Sequence, residues 1–333
     1  MEIRRFPRTI TPSQQPELTL VSIVTPSYNK GRFIEETILS VINQTYPRIE
    51  YIVVDGGSTD GTLDRLRKHS SSLTWISETD EGQSDAINKG WRMTRGEIIA
   101  YLNADDTYLP WTVEKAVESF LEHPDVSMVY GDCNIIDEHG QVTGKIITQE
   151  FNLRDALCDR WGFAQPTVFF KRHVLDVVGH LDTNLHMSMD FDLCLRIGLK
   201  FKTMRFPQFL ANFRMCPGTK SVEQPHKFAI EHLRILDKIY SQPEYGNAIN
   251  KFRREAYSYA HLRAGIGYHS QRQMKLSLIH LAKAIRMYPR HLREPLIWGY
   301  WLTAFMGRDA TDILVQLKSR MRSLKKPPIS SGS

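Results

Sequence analysis

The stretch Glu97-Ile98-Ile99-Ala100-Tyr101-Leu102-Asn103-Ala104-Asp105-Asp106-Thr107-Tyr108-Leu109-Pro110 decides the fold that this sequence predicts. Its first half is a short, nearly continuous apolar run, which is typical of a strand buried on both faces of a parallel sheet. Two adjacent carboxylates, Asp105 and Asp106, follow that strand. Because ligands of open α/β sheets bind at the carboxyl ends of the strands, we expect this pair to lie at the mouth of a crevice.

The two neighbouring carboxylates have two possible roles. Side by side they repel each other unless a proton or a cation separates them, so a divalent metal that carries substrate phosphates is one suitable occupant. The alternative is that Asp105 and Asp106 cap the amino end of a helix that begins near Pro110. This stretch by itself leaves both roles open.

The chain on either side of this stretch alternates between strand and helix patterns. Besides the strand before Asn103, we expect strands at Leu20–Thr25, Tyr51–Asp55, Leu73–Ile76 and Val126–Tyr130. The intervening segments carry apolar residues at helical spacing, which predicts a mostly parallel sheet covered on both faces. The glycines match neither the dinucleotide-binding nor the P-loop pattern. An acid, Asp55, ends the second strand, so a nucleoside could lie there and its diphosphate beside Asp105.

Length and composition indicate a globular protein in two parts. The chain has 333 residues, of which 41% are hydrophobic and 24% charged. The net charge is +6, and the charged residues are unevenly distributed, because the stretch from Arg286 to Lys326 is basic. Such a stretch could bind anionic lipid or nucleic acid, or it could form a solvated face. Four widely spaced cysteines and the absence of a secretory signal favour a reducing cytoplasm. No run of 18 apolar residues occurs, so we expect no membrane-spanning helix.

Four motifs in order resemble the family 2 glycosyltransferases with the GT-A fold. They are Val21–Asn29, Val53–Thr62, Asp85–Gly90 and Tyr101–Asp106, and the likeness extends from about Leu18 to about Ser221. The resemblance implies a Rossmann-like α/β domain with a mostly parallel, mixed sheet and helices on both faces. We expect an α-helical region to follow it. The predicted parts are a loose tail over 1–17, a catalytic domain over 18–223 divided at 132/133, a helical region over 224–326 and a flexible tail over 327–333.

The resemblance also implies an activity and a cofactor. It implies inverting transfer of a sugar from a nucleotide diphosphate sugar of UDP or dTDP type to a glycan or lipid-linked acceptor, in cell-envelope polysaccharide, lipopolysaccharide or exopolysaccharide assembly. Mg²⁺ or Mn²⁺ is expected on the diphosphate. Carried over by position, the resemblance implies that Asp105 is the metal ligand and that Asp106 assists it. It also implies that Pro26, Tyr28 and Asp55 contact the nucleobase. The full donor-binding set is Pro26, Tyr28, Asn29, Asp55, Asn88, Asn103, Ala104, Arg214 and Lys220.

A second acidic motif, His186–Arg196, resembles the part of the family that holds the general base. Asp190 matches that base, because inversion needs one carboxylate to take the acceptor proton. The alternative is that Asp190 serves only as a helix cap or first-turn acid. Gln165 and Asp192 are predicted on the acceptor side, although Gln165 could equally satisfy backbone groups. Arg214 or Lys220 is expected to offset the negative charge of the leaving group. Cys216 occupies a position at which members of the family often have His.

The sequence of the C-terminal region predicts a contact with a membrane surface. Trp298, Tyr300 and Trp301 lie in an apolar stretch, and Lys318, Arg320, Arg322, Lys325 and Lys326 follow it. Aromatic residues beside a basic helix are typical of an anionic membrane interface. We therefore expect a cytoplasmic protein, peripheral at the inner face of the cell membrane, with no nucleic-acid partner. The alternative is that this helix packs on the catalytic domain.

Two competing functions are weighed against glycosyl transfer. A sugar nucleotidyltransferase would need a glycine-rich, basic phosphate loop after the first strand, and Pro26–Gly31 does not provide one. A non-catalytic, membrane-associated module that binds nucleotide sugar would be expected to have lost Asp105 or Asp190. Both acids are present, which favours an enzyme.

Overall fold

The computed structural model describes residues 18–216 and 225–306, and its centre is a nine-stranded mixed sheet. The strand order is β3-β2-β1-β4-β8-β6-β9-β5, and β7 pairs with β6 beside this row. The strands are β1 Val21–Ser27, β2 Ile49–Asp55, β3 Thr74–Ser77, β4 Ile98–Tyr101, β5 Thr107–Tyr108, β6 Val126–Ile136, β7 Val142–Ile146, β8 Phe169–Lys171 and β9 Lys202–Arg214. Strands β3, β2, β1 and β4 run parallel, as do β6 and β9, whereas β8 is antiparallel to both of its neighbours.

Helices cover both faces of the sheet. In chain order they are α1 Ile34–Ile42, α2 Thr62–Lys68, α3 Gln83–Met93, α4 Thr112–Glu122, α5 Leu153–Leu157, α6 Val174–Val178, α7 Met189–Lys200, α8 Pro225–Tyr240, α9 Gly246–Ile249, α10 Arg253–Ser270, α11 Met274–Met287 and α12 Pro295–Met306. Alternate residues of β1 point to opposite faces, so Ile23 belongs to the buried cluster that includes residues of α1, α2 and α4, whereas Val24 belongs to the cluster that includes residues of α3 and α7. The predicted α/β architecture is therefore confirmed.

The C-terminal helices do not stand apart from the sheet. Ile235, Leu236 and Ile239 of α8 belong to the same buried cluster as Trp91 of α3 and Leu195 of α7. Within the predicted helical region, α10 and α11 form a pair that packs closely because Gly265 faces Leu281. A Cβ atom on that glycine would lie 2.8 Å from Leu281 Cγ. The start of the helical region therefore shares the core of the catalytic part.

Two sequence-based expectations change with the structure. Helix α4 begins at Thr112, its N-cap residue is Trp111, and the short strand β5 intervenes after Asp106. The alternative that Asp105 and Asp106 cap this helix is therefore wrong. The 13-residue strand β9 was not predicted, and β6 runs to Ile136 rather than to Tyr130.

The aromatic helix α12 packs on the α10–α11 hairpin. Ile297 of α12 lies in a small buried cluster with Leu262, Leu281 and Ala284, and Tyr300 and Trp301 pack against that cluster. Trp298 is 56% exposed. No helix within residues 18–216 and 225–306 is long and apolar enough to cross a membrane. Lys220 and the predicted basic run 318–326 lie outside the described residues.

Candidate active site

A cleft of about 570 Å³ opens where β1 and β4 end, facing the amino end of α7. This volume lies in the range of roughly 300–1,000 Å³ that is usual for small-molecule sites. Eight of the predicted site residues line the cleft, and they come from five separate segments of the chain: Pro26, Tyr28, Asn103, Ala104, Asp105, Gln165, Asp190 and Arg214. Asn29, Asp55, Asn88, Asp106 and Asp192 are not among its lining residues.

Asp105 forms an ion pair with Lys30, which was not predicted from the sequence. The ammonium nitrogen of Lys30, in the loop between β1 and α1, lies 2.6 Å from Asp105 Oδ2. The Asp105 side chain is 14% exposed, so water screens this pair only in part. No short-range pattern could have shown the contact, because the two residues are separated by three strands and three helices along the chain.

Asp106 is a buried neighbour of Asp105 with a different environment. It is 1% exposed, its Oδ1 accepts a hydrogen bond from the Arg214 backbone N–H at 2.8 Å, and its Oδ2 accepts one from Asn103 Nδ2 at 3.2 Å. Burial, together with the adjacent charge of Asp105, raises the pKa of Asp106 well above its ordinary value. Asp106 therefore joins the turn after β4 to the end of β9.

Asn103 lies at the centre of a row of side-chain amides. Its Oδ1 accepts a hydrogen bond from Gln83 Nε2 at 2.6 Å, and its Nδ2 donates to Gln165 Oε1 at 3.2 Å. Gln165 Nε2 in turn donates to the Tyr101 carbonyl at 3.0 Å. Gln165 therefore does satisfy a backbone group, and its contact with a sugar stays a prediction.

Arg214 is held firmly at the end of β9. It is 2% exposed, its Nε donates to the Asp105 carbonyl at 2.9 Å, and its Nη1 donates to the Asp137 carbonyl at 2.8 Å. Its Nη2 pairs with Glu36, and the guanidinium lies over the Phe33 ring. Arg214 thus supports the turn that carries Asp105 while it lines the cleft.

Three predicted donor-binding residues hold loops together behind the cleft. Asp55 is fully buried and accepts hydrogen bonds from the backbone N–H groups of Gly57 and Ser58 and from two serine hydroxyls. Asn29 has a positive φ of 50° and its Oδ1 accepts a hydrogen bond from the Thr59 N–H. Asn88 exchanges two hydrogen bonds with the Leu181 backbone. These contacts fix the shape of the loops that bound the site.

Asp190 lies in the first turn of α7 and lines the cleft. Ser188 is the N-cap residue, so Asp190 is not the cap. Burial raises the pKa of Asp190 to about 6, although the Phe191 N–H donates to its Oδ1 at 2.8 Å and counteracts the rise. A carboxyl group with such a pKa is a good proton acceptor near neutral pH.

Asp192, predicted on the acceptor side, is instead part of a buried ion-pair network. It is fully buried, its Oδ2 lies 2.7 Å from Arg196 Nη2, and Lys238 of α8 approaches the same oxygen to 3.3 Å. Lys238 also pairs with Asp182 at 2.9 Å. Asp192 therefore helps to hold α8 against α7.

The C-terminal region contributes to the cleft, which the sequence reasoning also missed. Phe228 and His232, one turn apart on α8, line it, and so do Asp80 and Phe163 of the preceding part of the chain. Glu231, between the first two, accepts hydrogen bonds from three consecutive backbone N–H groups just before α7. The sequence signal for this contact is an acid, Glu231, within the mostly apolar buried stripe of α8, which also contains His232.

Comparison with known proteins shows which family the chain resembles. Residues 22–176 match the family model described as glycosyl transferase family 2. A curated relative, the Escherichia coli UDP-Glc:alpha-D-GlcNAc-diphosphoundecaprenol beta-1,3-glucosyltransferase WfgD, is 30% identical over 159 residues, which cover 47% of this chain and 62% of the relative. The chain spans less than two thirds of the length of the first curated relatives that it matches.

Solved structures agree in fold at low sequence identity. S. aureus TarS residues 1–349, in complex with UDP-GlcNAc, superposes with a TM-score of 0.63 at 18% identity and covers 82% of each chain. The mannosyltransferase PcManGT from Pyrobaculum calidifontis, in complex with GDP-Man and Mn²⁺, gives a TM-score of 0.57 at 19% identity, over 88% of this chain and 90% of that one. Residues 22–176 therefore match a family 2 glycosyltransferase domain, and the chain shares the fold of these structures, so the predicted resemblance to the family and the predicted fold are confirmed.

Proposed function

We propose that the protein is an inverting glycosyltransferase that moves a sugar from a nucleotide diphosphate sugar to a hydroxyl of a glycan or lipid-linked acceptor during cell-envelope polysaccharide assembly. The observation that carries the proposal is that Asp105 and Asp190, from two distant motifs, line one cleft of suitable volume. Asp105 can hold a divalent metal that binds the diphosphate, and Asp190 can accept the proton of the acceptor hydroxyl. The relative WfgD, whose name states transfer from UDP-Glc to a diphosphoundecaprenol-linked sugar, supports this acceptor class.

The donor enters, in this proposal, over the carboxyl ends of β1 and β4. Tyr28 is 63% exposed at the cleft and provides an aromatic face on which a nucleobase can stack. Pro26 lies beside it, and the loop held by Asp55 and Asn29 supports both. A UDP or dTDP donor is our expectation, and the TarS complex with UDP-GlcNAc is consistent with it.

The residues around Asp105 fit a hard divalent cation. Mg²⁺ and Mn²⁺ are commonly held by one or two carboxylates together with substrate phosphate oxygens and water. Lys30 already places a positive charge at Asp105 Oδ2, so the carboxylate is suited to a cation. Among the described residues no group of three or more His, Cys, Asp or Glu forms a cation cage, so phosphate and water would complete the shell around Asp105. Bound there, Mg²⁺ or Mn²⁺ would offset the negative charge of the leaving diphosphate.

Asp190 performs the proton transfer in the proposed reaction. Its carboxylate takes the proton of the acceptor hydroxyl as the acceptor oxygen forms a bond to the anomeric carbon. The bond from that carbon to the diphosphate oxygen breaks on the opposite face, and the nucleoside diphosphate leaves with the electron pair. The anomeric configuration is inverted, and Asp190 then releases the proton to water. Lys30 supplies an ammonium group close enough to Asp105 to offset part of the leaving-group charge.

A membrane surface fits the outer face of the C-terminal helices. Residues 246–294 contain ten Lys or Arg and only two acidic residues. On α11, exposed apolar and basic side chains share one face: Lys275, Leu276, Ile279, Lys283 and Arg286. Trp298 and Leu302 of α12 are 56% and 54% exposed. Because basic and apolar groups together suit anionic lipid, we propose that this face, termed here the α11–α12 face, binds the membrane that carries the acceptor.

The experiment that tests the function is a donor and acceptor screen. The purified chain is incubated with UDP-, dTDP- and GDP-linked sugars, with diphosphoundecaprenol-linked sugar as acceptor, and with Mn²⁺ or EDTA. We expect one donor to give a glycosylated lipid in which the anomeric configuration is inverted, and only with the metal. Transfer with retention, or the absence of transfer from any donor in the presence of Mn²⁺, would contradict the proposal. Asp190→Asn provides the inactive control.

A further inference from the structure

Glu231 forms an unusual contact between the C-terminal helical region and the loop that leads into α7. It is 5% exposed on α8. Its Oε1 accepts a hydrogen bond from the His186 N–H at 2.9 Å, and its Oε2 accepts hydrogen bonds from the Met187 and Ser188 N–H groups, both at 2.8 Å. One carboxylate thus binds three consecutive amides, and hydrogen bonds to a charged acceptor are stronger than neutral ones.

The three amides lie directly before Asp190. Ser188 is the N-cap of α7, and Asp190 is the second residue of that helix. The peptide planes of residues 186–188 set the direction in which the first turn of α7 begins. A group that fixes them therefore fixes the position of the Asp190 carboxylate in the cleft.

The helix that carries Glu231 is anchored in the main core. Ile235 and Leu236, one turn further along α8, are fully buried in the main core, and Lys238 bridges to Asp182 and Asp192. Phe228 and His232, on either side of Glu231, line the cleft itself. This helix lies outside residues 22–176, which the family model matches. The contact thus comes from the part of the chain that the family model does not cover.

We propose that Glu231 is a positioning residue for glycosyl transfer: its carboxylate holds the 186–188 loop so that Asp190 faces the acceptor hydroxyl. The inference rests on the proposed function, because it assumes that Asp190 is the base. Its consequence is that α8 is part of the catalytic apparatus and not only a connection to the membrane-facing helices. Small displacements of a catalytic group are costly, since a shift of about 1 Å can reduce a rate by on the order of a hundredfold.

The test compares two variants that each break one contact between the C-terminal helices and the catalytic part. Glu231→Gln removes the charge that meets the three amides. Glu255→Gln is the matched control, because Glu255 pairs with Arg154 at 2.7 Å and makes no contact with residues 186–188. For each variant, kcat, the KM for donor, the donor dissociation constant and the melting temperature are measured. We expect Glu231→Gln to lower kcat about ten- to hundredfold with donor affinity within about twofold of wild type, and Glu255→Gln to leave kcat within about twofold.

A double variant separates positioning from general support. If Glu231 acts through Asp190, adding Glu231→Gln to Asp190→Asn lowers the residual rate by less than twofold, because the base is already absent. If Glu231 had only a structural role, the double variant would lose the product of the two single-variant losses in rate. The proposal is overturned if Glu231→Gln keeps the wild-type kcat, if both Gln variants lose kcat in proportion to their melting temperatures, or if the double variant shows multiplied losses. Inactivity of the wild-type chain with every donor would instead contradict the proposed function, and the role of Glu231 would fall with it.

Discussion

The ammonium nitrogen of Lys30 lies 2.6 Å from Oδ2 of Asp105, at the point of the cleft where the sequence predicts a metal. The pair joins the loop after β1 to the turn after β4, two neighbouring parallel strands whose carboxyl ends meet at the same edge of the sheet. In the proposed reaction, Lys30 would neutralise the carboxylate before a metal binds and would turn toward phosphate oxygens once a metal took its place at Asp105. The same ammonium group would then both compete with the metal and assist the leaving group.

This relationship gives the first prediction, for Lys30→Met. Without the ammonium group, Asp105 is no longer paired, so we expect Mn²⁺ alone to bind several times more tightly, as measured by calorimetry. Turnover should fall on the order of a hundredfold, because one positive group near the leaving diphosphate is lost. Lys115→Met is the control, since Lys115 pairs with Glu118 on α4 and does not line the cleft. Unchanged affinity for Mn²⁺ in Lys30→Met would show that Lys30 does not compete with the metal.

The second prediction separates the roles of the two acids. Asp105→Ala should abolish the rise in melting temperature that donor and Mn²⁺ cause together, because a ligand stabilises only the state that it binds. Asp190→Asn should keep that rise and lose turnover about a thousandfold. Asp64→Ala, at an exposed ion pair on α2, is the control for loss of a carboxylate. If Asp190→Asn retained normal transfer, Asp190 could not be the base.

The third prediction concerns the pH dependence of turnover. Burial raises the pKa of Asp190 to about 6, and only the ionised carboxylate can accept a proton. We therefore expect kcat to rise about tenfold per pH unit below pH 6 and to level off above it. Initial rates at saturating donor and acceptor from pH 5 to pH 8.5 measure this. A flat profile over the lower half of that range would contradict the assignment.

The fourth prediction is that Asp190→Asn stabilises the folded protein at neutral pH. A carboxyl group whose folded-state pKa is raised favours the folded state only while it is protonated, and this contribution is lost as the pH rises through about 6. Replacing it by a neutral amide should then raise the free energy of unfolding by about 1–3 kcal/mol at pH 8, taking 1.36 kcal/mol per pKa unit as the upper scale. At pH 4 wild type and variant should be nearly equal. Denaturant unfolding at both pH values provides the measurement, and a difference of equal size at pH 4 would point to a cause other than ionisation.

The fifth prediction tests the α11–α12 face. Lys275→Gln, Lys283→Gln and Arg286→Gln in one variant should weaken binding to phosphatidylglycerol vesicles about a hundredfold, at roughly 1 kcal/mol for each basic residue. The charge-matched control replaces the exposed residues Arg67 and Lys202 and the half-buried Lys115, which lie on the catalytic part. Sedimentation with vesicles measures both variants, and vesicles of zwitterionic phosphatidylcholine, which have no net charge, should bind neither. Equal loss in the two variants would mean that net charge, and not this face, governs binding.

The site divides into residues that local motifs could identify and residues that they could not. Asp105 and Asp190 each follow a readable signal, a strand that ends in an acid and a helix that begins with one, and the structure brings both to one cleft. Asp55 was expected at the nucleobase, but it is fully buried and its carboxylate holds the turn at Gly57 and Ser58. A motif marks that a polar residue belongs to the region of the site, but it does not say whether the side chain faces the ligand or the loop behind it.

The sequence by itself determined the alternation of strands and helices, the resemblance to family 2 glycosyltransferases with the GT-A fold, and the two candidate acids Asp105 and Asp190. Periodicity and motifs are local, because each is set by residues close together in the chain. The tertiary structure alone decided that Lys30 pairs with Asp105, that Arg214 and Asp106 support the turn beside them, and that Glu231 of the C-terminal helices binds the loop before Asp190. These contacts join residues far apart in sequence. They depend on how the strands are ordered in the sheet and how α8 packs on α7, which no local pattern encodes.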